Sequence, residues 1–282
     1  MADIKKPMQG VRIWKNPKNE FLIFELHYSA DPLKRAEIFK ESVKSGLPLQ
    51  KFLQEYEIQW DTYEGMPVYR DYNRQVHHSE KPLEPERGLP LLIGVDNGLT
   101  PAAIIGQIQD ETLVILKEIT AFNMGSKRFS ALVKSDIAVN YPYWGSLRDV
   151  KVFMDPSGFF RNDTDEGSCK DDFIACGFKD IQPGPVANNT RKQAVEGFLT
   201  KTTRRGPCFQ ICEETAPITV KGFEGGYHYP QNAISREDDL KPVKNEFSHP
   251  HDGLQYLAAG ASGILNSQRR YKSVPRPSYN PR

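Results

Sequence analysis

No apolar run in this sequence approaches the roughly 18 residues that a membrane-spanning helix requires. The first residues, Met1-Ala2-Asp3-Ile4-Lys5-Lys6-Pro7, have no apolar core of a secretory leader. Both absences point to a cytoplasmic protein. Cysteine is scarce: Cys169, Cys176, Cys208 and Cys212 form no Cys-x-x-Cys pair, and no His-x-His or His-Glu-x-x-His partner stands beside them. Reduced thiols are therefore the expectation, with neither a disulfide framework nor a structural zinc site. No Gly-x4-Gly-Lys-Ser/Thr loop occurs, so no ATP site is visible. The formal net charge is only +1, which excludes a chain-wide basic field as an argument for a polyanionic partner.

What is present is a globular composition, 38% hydrophobic and 26% charged over 282 residues, enough for one large domain or two small ones. Charge is local. Residues 188–205 hold Arg191, Lys192, Lys201, Arg204 and Arg205 against Glu196 alone, and residues 266–282 hold five arginines and lysines and no acid. Each stretch alone is as readily a solvated surface as a polyanion contact.

The pattern changes near residue 88. Before it lie a strand-like run, Glu20 to Tyr28, and a helix opened by Asp31-Pro32 and closed by Gly46. A second helix is expected from Leu47-Pro48 through Phe52, Tyr56 and Ile58. Residues 80–90, with three prolines and Gly88, read as a linker. From Leu91 the chain reads as strand, hairpin (Ala102–Gln109 and Thr112–Thr120), helix (Ser126–Asn140) and strand (Val150–Met154). Two more helices follow, then a short strand at Phe209, a glycine-rich hairpin (Ile218–Tyr229) and a last helix (Asp252–Leu265). Pro275 and Pro277 predict a disordered tail. The expected class is α/β: a mixed sheet with helices on its faces, the Val150 strand parallel to the Leu91 strand after a crossover.

Three aspartates stand out in that frame. Asp96 ends Leu91-Leu92-Ile93-Gly94-Val95; Asp155 ends Val150-Lys151-Val152-Phe153-Met154; Asp252 opens the last helix. Alone, each has a plain structural role as a turn former or helix cap. Together, two strand ends and a helix start can converge on one divalent-metal site, since hard cations take oxygen ligands. Two such ions about 3.5–4 Å apart can clamp the attacking and leaving oxygens of a phosphodiester. His249 and His251 could ligand a metal, hold a carboxylate or meet a phosphate. Asp163, Asp165 or Glu166 could complete the site. Gly222-Phe223-Glu224-Gly225-Gly226-Tyr227-His228-Tyr229 reads as a surface hairpin or as a flap against DNA, its glycines allowing close backbone approach.

In this order, Gly-Val-Asp-Asn-Gly, Met-Asp-Pro-Ser-Gly, Gly-Phe-Glu-Gly-Gly-Tyr-His-Tyr and Ser-His-Pro-His-Asp-Gly-Leu-Gln-Tyr resemble the nuclease domain of tailed-bacteriophage terminase large subunits, from about Leu91 to Asn266. Residues 49–75 look like the stretch joining the ATPase of that motor to its nuclease. The resemblance implies a ribonuclease H-like fold plus a small, mainly helical N-terminal segment. It divides the chain into a remnant of the connecting region (1–88), a nuclease domain (89–266) and a basic tail (267–282).

It further implies a Mg2+- or Mn2+-dependent endonuclease with two ions on Asp96, Asp155 and Asp252, cutting concatemeric double-stranded DNA in the host cytoplasm. Some members carry a histidine three residues before the last aspartate, which matches His249. The usual residue after that aspartate is alanine, where this chain has Gly253. The partners it implies are the portal protein, the small terminase subunit and the ATPase domain of the motor. Arg191, Lys192, Lys201, Arg204, Arg205, Tyr227 and His228 are the DNA-binding candidates. Two rival readings stay open: another ribonuclease H-like enzyme of resolvase or transposase type, and a non-catalytic module docking to the portal or small subunit.

Overall fold

The computed structural model describes residues 9–15, 21–46, 52, 56–58, 65–161, 167–230 and 241–273. Contacts divide the chain into Met1–Met66 and Pro67–Arg282. In the first unit, β1 (Val11–Lys15) pairs antiparallel with β2 (Leu22–Leu26), and Arg12 meets Glu25 at 2.6 Å. β2 lies within the strand-like run expected at Glu20–Tyr28, and β1 is the partner strand that the sequence reading did not include. Asp31 accepts from Leu33 N and closes a tight turn at Pro32, so the following helix, α1 (Glu37–Gly46), starts five residues later than the Pro32 signal suggests. The second helix expected from Leu47 lies largely outside the described residues.

After the short extended β3 (Met66–Pro67) come α2 (Arg74–His77) and β4 (His78–Ser79). The proline-rich stretch that follows is irregular but held. Gln107, fully buried, donates from Nε2 to Glu86 O and Leu89 O and accepts from Glu86 N. Trp144 Nε1 also donates to Leu89 O.

The sheet is built on β5 (Leu91–Asp96), whose residues are all buried. β6 (Ala102–Gln109) and β7 (Thr112–Thr120) form the expected hairpin, turning at Asp110 and Glu111, both at positive φ as a two-residue turn needs. Next come α3 (Ser126–Asn140), β8 (Val150–Met154) and α4 (Cys169–Cys176). Ser168 and Asp171 cap α4 reciprocally, and Gly177, at φ 106°, ends it. The chain continues through β9 (Asp180–Pro183), α5 (Asn188–Leu199), the small hairpin β10 (Thr202–Thr203) and β11 (Gly206–Pro207), β12 (Phe209–Cys212), α6 (Pro217–Lys221), β13 (His228–Tyr229) and α7 (Ser248–Ser273). Sheet order is β4-β12-β7-β6-β5-β8-β9. β5 is antiparallel to β6 and parallel to β8, as expected.

Alternation along β5 sorts the two faces. Leu91, Ile93 and Val95 join Phe129, Val133 and Ile137 of α3 in one core, each buried apolar side chain contributing roughly 1.5–3 kcal/mol. Leu92, Gly94 and Asp96 face α7 on the other side. There the helix comes so close that a Cβ on Gly94 would stand 2.0 Å from Gly253 O and 2.6 Å from Leu257 N.

The glycine-rich segment is not a hairpin. Pro217 starts α6, and the Glu118 carboxylate caps it by accepting from Ile218 N, Thr219 N and Thr219 Oγ1. α6 then widens into a π-type turn at Gly222–Gly226, where Tyr227 N donates to Gly222 O. The glycines serve packing: a Cβ on Gly222 would strike the His251 ring and one on Gly226 the Phe247 ring. The last helix also exceeds its expected range at both ends, starting at Ser248 and running to Ser273, so the first part of the predicted tail is helical. Among the described residues no helix is long and apolar enough to cross a membrane.

Candidate active site

Asp96 is the last residue of β5. Asp155 follows β8 directly, and its backbone N donates to Val95 O at 3.1 Å, which carries the parallel register one step beyond the strand and sets it beside Asp96. Asp155 also acts as a turn former: its Oδ1 accepts from Ser157 N at 2.8 Å. Asp252 is no cap, because α7 begins four residues earlier. Its helix turn lies over Gly94, and so over the same end of β5. A Cβ on Gly253 would meet Gly94 O at 3.2 Å, so even alanine fits tightly there.

Asp96 and Asp252 are buried, 7% and 6% exposed. Burial pushes the Asp96 carboxyl above its ordinary range; a hydrogen bond from His249 pulls it down, and the nearby charge of Asp252 pushes it up again. His249 Nδ1 stands 2.9 Å from Asp96 Oδ2. Asp252 Oδ2 accepts from Lys244 Nζ at 2.7 Å, and Arg191 lies 4.0 Å from Oδ1. The Arg191 guanidinium in turn sits over the Tyr256 ring at 4.6 Å, and the Tyr256 hydroxyl is raised mainly by burial. His251 points away from the acids. It is fully buried, parallel to the Tyr227 ring at 4.7 Å, and burial depresses it to about 3.

Among solved structures, the large terminase of a thermophilic bacteriophage aligns with a TM-score of 0.53 at 14% identity, over 85% of this chain and 55% of that one. The nuclease domain of the P22 large terminase aligns at 0.51 with 13% identity, over 70% of this chain and 92% of that one. The fold is that of a large-terminase nuclease domain. This chain spans about half the length of the thermophilic-phage terminase it matches. No family model and no curated protein matches the sequence.

On this terminase nuclease fold the DNA-binding candidates part company. Arg191, in the first turn of α5, stands near the acids, and Lys192 follows it in the same helix. Lys192 Nζ reaches Tyr229 OH at 3.1 Å. Tyr227 is buried; its hydroxyl accepts from Gln255 Nε2, and it lines a cavity of about 230 Å3 with Asn188, Arg191, Lys241, Lys244 and Asp252. His228 is half-buried, with Nδ1 3.0 Å from two backbone carbonyls of its own turn. Lys201, Arg204 and Arg205 lie at the other end of the sheet. The 12 residues of α5, at 1.5 Å each, span about 18 Å. Arg205 pairs there with Asp110 of the β6–β7 turn. Residues 188–205 are therefore not one basic patch beside the acids. Asp163, Asp165, Glu166 and residues 274–282 lie outside the described residues.

Sequence reasoning missed Lys244, Lys241, Asn188 and Tyr256. Only Tyr256 carried a usable signal: one helical turn after Asp252, it shares that residue's face. A divalent cation fits the chemistry of the acids, which offer oxygens alone, two of the carboxylates buried and like-charged. Among the described residues no three His, Cys, Asp or Glu side chains stand as a ready metal cage. The acids hold internal partners instead: His249 on Asp96, the Ser157 amide on Asp155, and Lys244 on Asp252. Lys244 is 73% exposed, so it can leave into solvent.

Proposed function

We propose that this chain is a divalent-metal-dependent endonuclease of a viral DNA-packaging motor, cutting concatemeric double-stranded DNA. The observation that carries the reading is the meeting of Asp96 and Asp252, two buried carboxylates from distant parts of the chain, beside Asp155 on a terminase nuclease fold. Two like charges buried side by side repel, and a bound cation would lower that cost once the exposed Lys244 has left Asp252. Asp96, Asp155 and Asp252 would hold two ions, Mg2+ or Mn2+. Such ions supply an activated water and neutralise the charge that builds on the phosphate, so no protein base is required.

The remaining groups bind and orient. His249 holds the Asp96 carboxylate through Nδ1. Arg191, Lys241 and Lys244, with Asn188, give the cavity beside Asp252 a positive lining suited to phosphate oxygens. Lys192 adds charge from the same helix. Backbone contacts carry little sequence information, so cutting should be largely nonspecific and weaken with salt. An ATPase domain, portal and small subunit would be the partners, in the cytoplasm of an infected host.

The test is plasmid cleavage with Mn2+, Mg2+ or EDTA, comparing the wild type with Asp96→Ala. Metal-dependent cutting that disappears in the variant is the expected outcome. Cutting that survives the substitution would remove Asp96 from the chemistry, and cutting that is unchanged at high salt would count against the phosphate contacts.

A further inference from the structure

Loops leaving the acid-bearing end of the sheet carry large apolar side chains turned to solvent. Leu99 follows β5, Phe122 follows β7, Phe160 follows β8 and Val186 follows β9, and they are 72%, 85%, 72% and 83% exposed. Among the described residues of the second unit, just one other large apolar side chain exceeds 70%: Val139, at the far end of α3. The asymmetry is therefore confined to the rim around the acids, and exposed apolar surface gathered in one place marks a contact site.

The rim is continuous with the site. Met124 N donates to Leu99 O, tying the Phe122 loop to the loop that follows Asp96; Phe160 N donates to Ser157 O in the turn that follows Asp155. Leu99 lines a cavity of about 450 Å3 with Asn97 and Ser157, and Asn97 Nδ2 donates to Asp155 O. This cavity opens on the α3–α4 side, whereas the cationic cavity of Arg191 and Lys244 opens on the α7 side. The acids thus lie between a positive flank and an apolar flank.

A protein partner covering these loops would also cover Asp96 and Asp155 and exclude the phosphate. During cutting, the rim's partner must then be the substrate itself. A stacked duplex offers phosphates and polar groove edges; its apolar surfaces are the base faces, hidden inside the stack. We propose that the rim receives unstacked nucleobases: the strand to be cut lies with its phosphates on the cationic flank while one or more bases beside the scissile bond turn out against Leu99, Phe122 and Phe160. This rests on the nuclease reading above.

The test pairs two substrates, a fully matched duplex and the same duplex with a short mismatched bubble, cut by the wild type, Phe160→Ala and the double variant Leu99→Ala/Phe122→Ala. All three positions are exposed, so folding should be kept, and thermal unfolding checks it. In parallel, interior 2-aminopurine in the matched duplex reports unstacking on binding to the Asp96→Asn chain, with and without Phe160→Ala. Base–aromatic contacts predict a roughly 5- to 100-fold loss of cutting on the matched duplex. The bubble, whose unstacking cost is already met, should lose several-fold less, and the 2-aminopurine signal should rise on binding and fall back in the Phe160→Ala background. Equal losses on both substrates, or no loss and no fluorescence rise, would overturn the proposal; the latter would assign the rim to a protein partner. If the wild type cuts neither substrate with Mn2+, the nuclease reading fails, and the fluorescence alone decides whether bases meet the rim.

Discussion

Gly94→Ala puts the link between packing and chemistry to the test. The added Cβ would lie 2.0 Å from Gly253 O, 2.6 Å from Leu257 N and 2.7 Å from Leu257 Cβ. The first two are backbone atoms and cannot rotate aside. Restoring an ordinary contact of about 3.4 Å or more requires α7 to back away from β5 by roughly 1.4 Å. Overpacking of this kind costs typically about 1–3 kcal/mol, which for a unit of this size lowers the unfolding midpoint by roughly 2–12 °C. Because Asp252 rides on the displaced turn and Asp96 on the fixed strand, the site opens by the same distance, and a misplacement of about 1 Å can cost about 100-fold in rate. Mn2+-dependent plasmid cutting and thermal unfolding by circular dichroism read the two effects separately. Gly197→Ala is the control, since a Cβ there meets nothing within 4 Å; inside α5 it should raise stability by about 1 kcal/mol and leave cutting alone. A Gly94→Ala chain that cuts within threefold of the wild type and melts within a degree of it would refute the argument that the α7–β5 approach sets the site.

Three further outcomes follow from the charges. Burial raises the Asp96 carboxyl, so its contribution to stability is full below the ordinary carboxylate range and lost as pH rises through the raised value. Asp96→Asn should therefore melt above the metal-free wild type at pH 7. Mn2+ at about 100 times its Kd adds about 2.7 kcal/mol to the wild type, roughly 5–11 °C, and much less to the variant; a wild-type midpoint unmoved by Mn2+ would sink the metal assignment. His251 is depressed to about 3, so the unfolded chain takes up a proton below about 6.5 that the folded chain refuses. Stability should fall as pH drops across that window, and His251→Phe, which keeps a ring against Tyr227, should flatten that part of the curve; an unchanged slope would count against it. Lys244→Met should weaken DNA binding at low salt and reduce the salt slope by about one, and an unaltered slope would remove Lys244 from the phosphate path.

Much of the centre of the fold is legible in the sequence because its signals are local. The apolar run Leu91–Val95, the two-residue turn at Asp110-Glu111 and the strand that ends at Asp155 each state their own conformation. The right-handed crossover rule then sets β8 parallel to β5. The misread segments depend on distant partners. Gly222, Gly225 and Gly226 look like turn residues in sequence, but two of the three are small because the His251 and Phe247 rings press on them, and Glu118 decides that the preceding stretch is a helix. Gly94 looks like a weakness in a strand and is instead the point where α7 rests. The basic stretch from Arg191 to Arg205 looks continuous only in sequence; α5 carries its two ends to opposite ends of the sheet. Lys244 sits in a loop with no periodicity to reveal that it meets Asp252.

The clamp made by Gln107 has a consequence for anyone cutting this chain into pieces. The stretch from Glu84 to Leu89 invites a boundary just before Leu91, yet that cut would strip both carbonyl acceptors from a fully buried amide and one from Trp144. Orphaned buried donors cost roughly 1–3 kcal/mol each. It would also remove β4 and bare the edge of β12, leaving an unpaired strand that invites association between copies. A shortened fragment should therefore begin near Pro67, and one begun at Leu91 should express as aggregate even though it keeps all three aspartates.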